Sequence, residues 1–225
     1  MIVRELHPWS VSSQEAVKIQ ERLKKRVIFG QIETNIHLLA GADVSYSKKS
    51  DRFYAGVVVL TFPELRPVEE ATAVGERDFP YIPGLLSFRE APILIEAFKR
   101  IESRPDVVIF DGQGVAHSRG MGLASHMGLI LNLPSVGCAK NRLFGTFGEI
   151  GSLVGDYTLL RDGETAIGAV LRTKRGTKPI FVSPGYKTDI TGCINITLRT
   201  CRGYRLPEPV RQAHLLANRT RMEDL

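Results

Sequence analysis

Residues 107–139 read VVIFDGQGVAHSRGMGLASHMGLILNLPSVGCA. Four apolar residues run straight into Asp111, a short buried strand that ends on a charge. Gly112, Gly114, Gly120 and Gly122 make residues 112–122 a loop; apolar residues at helical spacing follow over 123–133 until Pro134 stops the helix, and 135–139 resumes as strand. Strand, helix and strand in this order form a βαβ unit, which implies parallel pairing. Ligands of such sheets collect at the carboxyl ends of the parallel strands, so Asp111 and Lys140 are expected on one rim.

Outward from this unit, Ser12 and Glu15 have capping-box spacing, with Ala16, Ile19, Leu23 and Val27 following on one helical face, which predicts a helix over 13–27. Three strands follow, over 36–46, 54–62 and 68–75, the last two joined by a turn containing Pro63. Residues 79–84 hold Pro80, Pro83 and Gly84 and read as an irregular loop before a helix carrying Leu94, Ala97, Phe98 and Ile101. Beyond the unit, 156–160 and 165–171 flank the turn signal Asp162-Gly163; 179–182 is a short strand, and helices are predicted from Ile190 to Cys201 and over 208–218. The fold class is therefore α/β: a mixed sheet, antiparallel strands first and parallel βαβ second, flanked by helices and forming one domain over 1–225.

Composition narrows the function. With 43% hydrophobic and 24% charged residues and no apolar run of bilayer length, the chain reads as soluble, and without a signal layout it is expected in the cytoplasm. Cys138, Cys193 and Cys201 lack zinc or redox spacing and read as core residues. The net charge of +6 suits a polyanionic partner, with possible phosphate-tracking clusters at Arg22, Lys24, Lys25 and Arg26, at Lys140 and Arg142, and at Arg172, Lys174, Arg175 and Lys178. The plain reading of each cluster is a solvated face, and for the first, on a predicted helix, that reading is favoured.

Asp43 interrupts the apolar run 38–44, and a carboxylate in a central strand is costly unless it binds a cation or accepts several hydrogen bonds. Asp111 poses the same question. Two such aspartates on neighbouring strands suit magnesium, a hard cation that prefers oxygen ligands. Glu90 is a third candidate, although Ser87 to Glu90 has capping-box spacing, against which Pro92 argues; His214, on an apolar helical face, reads from spacing as a structural histidine. The glycine loop matches neither the dinucleotide fingerprint nor the P-loop, which disfavours a nucleotide-triphosphate enzyme.

The stretches GADVSY (41–46), FPYIPGLLSFRE (79–90), FDGQGVAHSRGMGLASHMG (110–128), GCAKNRL (137–143), FVSPGY (181–186) and RLPEPVRQAH (205–214) strongly resemble the endonuclease V family, in the family's order and through nearly the whole chain. The resemblance implies an RNase H-like fold and a deoxyinosine 3′ endonuclease that cuts the second phosphodiester bond 3′ to the lesion. It implies catalytic roles for Asp43, Glu90, Asp111, His214 and Lys140, with Mg²⁺ held by Asp43, Asp111 and Glu90, and Mn²⁺ also supporting activity. It further implies a DNA wedge of Pro80, Tyr81, Ile82 and Pro83, and a base pocket of Gly84, Leu86, Gly112, Gly122 and Leu123. Phosphate or DNA contacts are implied for His117, Arg142 and Ser183. The expected partner is DNA with deoxyinosine or other deaminated bases and the expected state is a monomer; the alternatives are an inosine-specific ribonuclease acting on RNA and a non-catalytic binder of damaged nucleic acid, which the intact carboxylate set disfavours. Three positions depart from the family pattern: Ser118 for proline, Tyr186 for histidine and Val210 for threonine. Tyr186 bears most on function if it lies near the rim.

Overall fold

The computed structural model describes residues 1–32, 35–47, 50–76 and 79–224. In chain order the elements are α1 (Ser13–Lys24), β1 (Leu38–Tyr46), β2 (Arg52–Thr61), β3 (Pro67–Glu76), α2 (Leu86–Lys99), β4 (Val107–Asp111), α3 (Leu123–Leu131), β5 (Ser135–Ala139), β6 (Tyr157–Asp162), β7 (Thr165–Leu171), β8 (Ile180–Tyr186), α4 (Ile190–Arg199) and α5 (Glu208–Glu223). All eight strands lie in one sheet, ordered β3-β2-β1-β4-β5-β8-β7-β6. The β1–β4 and β4–β5 pairs are parallel and the others antiparallel, the mixed arrangement expected of an RNase H-like fold. Val57, Val59, Val108 and Phe110 pack on one side with α2 and α3; Val58, Leu60, Val107 and Ile109 pack on the other with α4 and α5. Among the described residues, no helix is long and apolar enough to cross a membrane.

Local chemistry explains where the elements begin and end. The Ser12–Glu15 capping box is formed, with Ser12 N–H donating to Glu15 Oε2 at 2.8 Å. Helix α1 stops at Lys24, short of the predicted 27, because Arg26 and Val27 bond three residues back, to Leu23 and Lys24. The predicted Asp162-Gly163 turn is shifted by one residue: Asp162 still pairs with Thr165, and Gly163 (φ 55°) takes the first of the two turn positions, where a left-handed residue suits a two-residue hairpin. Strand β8 continues past Pro184, which a strand interior would reject, because the register against β5 skips Gly185 and forms a bulge there.

Helix α2 starts at Leu86 without a side-chain cap, so Ser87 and Glu90 make no capping box. The Ser87 hydroxyl lies 3.0 Å from His126 Nδ1 instead. Pro92 sits inside this helix, where it can return no N–H to the carbonyl of Phe88.

Two glycines let α5 lie almost on the sheet. A methyl group on Gly41 would stand 2.0 Å from the Pro209 carbonyl oxygen, and one on Gly56 would stand 2.7 Å from that of Ala213. The backbone of α5 thus occupies the space of two missing side chains on β1 and β2. Gly41→Ala must push the helix outward, and it is expected to cost about 1–3 kcal/mol of unfolding free energy. Urea denaturation measures this, and a midpoint equal to that of the parent would mean that α5 is not held so close.

Candidate active site

Ala42 pairs with Phe110, so the next residues, Asp43 and Asp111, leave adjacent parallel strands at the same level. Asp111 is also level with Cys138 on β5, which brings Lys140 to the rim: its Nζ lies 2.5 Å from Asp111 Oδ2. The close approach of α5 sets His214 above Asp43, with Nδ1 2.6 Å from Oδ2, while Val44 N–H donates to Asp43 Oδ1 at 2.8 Å. One ligand atom from each of Asp43, Asp111 and His214 falls within 4.8 Å of the others, and among the described residues no other group meets that criterion.

Glu90, half-buried on the second turn of α2, is near enough to Asp43 and Asp111 to feel both charges. Burial pushes its carboxyl well above the usual range, and the charges of Asp43 and Asp111 push it further. Asp111 is raised by burial and by Asp43, against the charge and hydrogen bond of Lys140. For Lys140, burial alone would lower the ammonium pKa; the Asp111 contact more than offsets this and the net direction is up. Three carboxylates therefore converge against one lysine, and the oxygen-rich donor set fits a hard divalent cation, which would relieve the repulsion among them. Glu90 lies outside the 4.8 Å group, whereas His214, given no place among the expected ligands, lies inside it.

Beside this rim a cleft is lined by Tyr81, Ile82, Pro83, Gly84, Leu86, Gly122 and Leu123, together with Gln113 and Leu143. Tyr81 is 67% exposed at its mouth, with the Arg89 guanidinium 5.8 Å from its ring centroid. The loop is held from behind at one atom. Gly84, at φ 81°, turns its carbonyl inward to meet Gln20 Nε2 (3.0 Å), Arg119 Nη2 (2.6 Å) and His117 Nε2 (2.9 Å).

Several expected residues fall elsewhere. His117 is buried: one nitrogen faces the Gly84 carbonyl and the other accepts from Arg119 N–H, so it is a support of the loop and not a phosphate contact. Ser183 is fully buried, its hydroxyl accepting from Gly114 N–H, and cannot meet DNA either. Gly112 is absent from the cleft wall; its N–H donates to the Cys138 carbonyl, and Leu123 covers its Cα. Gly122 is required by its own loop, since a methyl there would stand 2.3 Å from the Gln113 carbonyl oxygen. Arg142 is exposed beside Lys140, where a phosphate contact was expected. Tyr186 pairs with Ser135, the far end of β5 from Lys140, so this departure lies on the order of 16 Å along the strand from the rim. Val210, on α5, is buried against the sheet with Leu39 and Val58 in the same core cluster, and Ser118 is exposed.

A model of the endonuclease V family matches residues 20–215. The chain belongs to the endonuclease V family. The endonuclease V of Dehalococcoides mccartyi is 45% identical over 215 residues, 96% of each chain. The crystal structure of endonuclease V from Streptomyces avermitilis superposes with a TM-score of 0.91 at 38% identity, covering 100% of this chain and 99% of that one. Ciona intestinalis endonuclease V, crystallised with a 24mer DNA containing an inosine followed by a ribo-adenosine, shares the fold with a TM-score of 0.82 at 24% identity over 94% of this chain and 98% of that one. Members of the endonuclease V family are DNA-repair endonucleases that recognise deoxyinosine, and this chain is one of them.

Sequence reasoning missed Gln20, Arg119, Ser45 and Asn218. Gln20 was the most detectable, a polar residue one position from Ile19 on the buried face of α1; it is 1% exposed. The others needed the fold. The buried state of His117 has a measurable consequence. Burial lowers its pKa to about 4 from the ordinary 6.5, so between those values the unfolded chain binds the extra proton and stability falls as pH drops. His117→Gln keeps a donor for Gly84 without the titration and is expected to flatten the loss of stability between pH 6.5 and 4. Urea midpoints at pH 7.5 and 4.5 decide it, and an unchanged difference between them would contradict the buried, neutral His117.

Proposed function

We propose that this endonuclease V extrudes deoxyinosine from DNA into the cleft behind Tyr81 and hydrolyses the second phosphodiester bond 3′ to it. The observation that carries this reading is that Asp43, Asp111 and Glu90 interact at one rim, beside a cleft whose proline-rich lip presents an exposed aromatic ring. The inosine-containing DNA bound by the Ciona protein supports the same substrate class.

In this reading Asp43 and Asp111 hold Mg²⁺, Glu90 ligates it or orients water at the same centre, and Mn²⁺ serves in its place. The cation would supply charge stabilisation at the phosphate and acidify an attacking water. The protein supplies the rest. Lys140 offers its ammonium to a non-bridging phosphate oxygen while balancing Asp111, Arg142 steadies the backbone, and His214 fixes the Asp43 carboxylate. Water adds to phosphorus, the bond to the 3′ oxygen breaks and that oxygen takes up a proton, giving a 3′-hydroxyl and a 5′-phosphate.

Asp43→Asn and Asp111→Asn should each abolish nicking of an inosine duplex in Mg²⁺ while leaving binding and thermal unfolding near the parent's, because a neutral amide is a poor ligand for a hard cation. A folded variant that nicks at the parent's rate would sink the metal assignment.

The wedge is tested by shape. Stacking on an aromatic ring is worth about 1–3 kcal/mol per base, so Tyr81→Ala should weaken binding of inosine DNA roughly tenfold or more, and Tyr81→Phe should change little. The loss should be greater on a duplex than on a single strand, where less unstacking is needed. Equal losses on the two substrates would make the loop a plain turn.

A further inference from the structure

Beyond the carboxylates, α5 carries a polar relay of which the reaction as described uses only the first member, His214. Asn218 stands four residues after His214, one helical turn further along, above Ser45, which lies two residues after Asp43 on the same face of β1. His214 Nδ1 lies 2.6 Å from Asp43 Oδ2, Asn218 Nδ2 lies 3.0 Å from His214 Nε2, and the Ser45 hydroxyl donates to Asn218 Oδ1 at 2.9 Å. Ser45 is buried and Asn218 half-buried.

The directions of these bonds follow from the ends. A carboxylate only accepts, so the proton of a neutral His214 ring sits on Nδ1 and leaves Nε2 with a lone pair. The amide must then turn its NH₂ to Nε2 and its oxygen to Ser45. Reversing the amide would set an oxygen against that lone pair. Each group in the row has one consistent role.

We infer that Asn218, held by Ser45, is a positioning residue that locks His214 in the Nδ1–H tautomer, aimed at Asp43 and kept out of the metal's ligand set. The inference rests on the reading of Asp43 as a metal ligand. With its proton on Nδ1 and Asn218 on Nε2, the imidazole has no nitrogen to offer a cation, although its position is close enough for ligation. Asn218 touches neither substrate nor cation and acts through His214. This assigns the histidine to orienting the Asp43 carboxylate, and it explains why α5 must lie so close to β1 at residues 43 and 45.

The test reads the tautomer directly, in metal-free protein, so it does not depend on activity. Two-bond proton–nitrogen correlation spectra of histidine-labelled protein should show His214, assigned by the loss of its signals in His214→Asn, protonated at Nδ1 and bare at Nε2. Asn218→Asp, nearly the same shape but unable to donate, should move a proton onto Nε2, as should Asn218→Ala in part of the population. Saturating Mg²⁺ should leave the Nδ1 proton of the parent in place. In cleavage assays both variants should lose about tenfold or more in kcat, in the range of outer-shell partners of metal ligands, with KM for inosine DNA and the thermal midpoint unchanged. An Nε2–H tautomer in the parent, or spectra unaltered by Asn218→Asp, overturns the relay; loss of the Nδ1 proton on adding Mg²⁺ overturns the exclusion of His214 from the ligand set. Failure of the parent to nick inosine DNA would instead strike the proposed function, leaving the tautomer result standing.

Discussion

The close contact between α5 and β1 is the constraint on which the rim depends. Gly41 and Gly56 remove the side chains that would hold a helix at the usual distance, and the backbone at Pro209 and Ala213 fills the space. At that separation two periodicities come into step. Two residues of strand advance about 6.7 Å and four residues of helix about 6 Å, so Asp43 and Ser45 meet His214 and Asn218 in turn. A catalytic carboxylate and its partners are thus aligned by backbone contact, which is stiffer than any packing of side chains.

The electrostatics of the rim follow a different principle. Its carboxylates are crowded at a cost, Glu90 most of all, and the fold accepts a strained electrostatic arrangement where a cation can repay it. The loop bearing Tyr81 has little regular structure, yet one carbonyl, that of Gly84, gathers donors from α1 and from the glycine-rich loop. Prolines stiffen the lip while that carbonyl anchors its base, so an exposed ring is presented from a fixed platform.

Arg205 gives the Lys140 side of the rim its coherence. Its guanidinium donates to the carbonyls of Lys140, Lys178 and Pro179, tying the end of β5 to the entry of β8. Two of the basic clusters seen along the chain are in this way neighbours in space, on the side of the rim where Lys140 faces Asp111. The first member of the last cluster, Arg172, is spent on backbone carbonyls, those of Gly151, 21 residues earlier in the chain, and Thr177. Clustering in sequence overstated the surface available to phosphate.

Periodicity, punctuation and the placing of charges within apolar runs were enough to read the sheet, its change from antiparallel to parallel, Asp111 and Lys140 as rim residues and Asp43 as a strand carboxylate in need of a cation or hydrogen bonds, because each of those signals is local and backbone-driven. Glu90 and His214 were not separable from a capping box and a structural histidine by spacing alone; the motif resemblance pointed to them, and the contacts of α2 and α5 with the rim placed them. Only the tertiary structure decided that His117 and Ser183 are internal supports, that Gly112 lies behind the cleft wall and that Tyr186 is remote from the rim. A residue type states what a side chain can bond, but which partner it meets depends on segments far away in the chain, as Gly84 does for His117 and Gly114 for Ser183. The same holds for Asn218: an ordinary polar residue on a helix acquires its role because two glycines, more than 150 positions earlier, let that helix approach the strand.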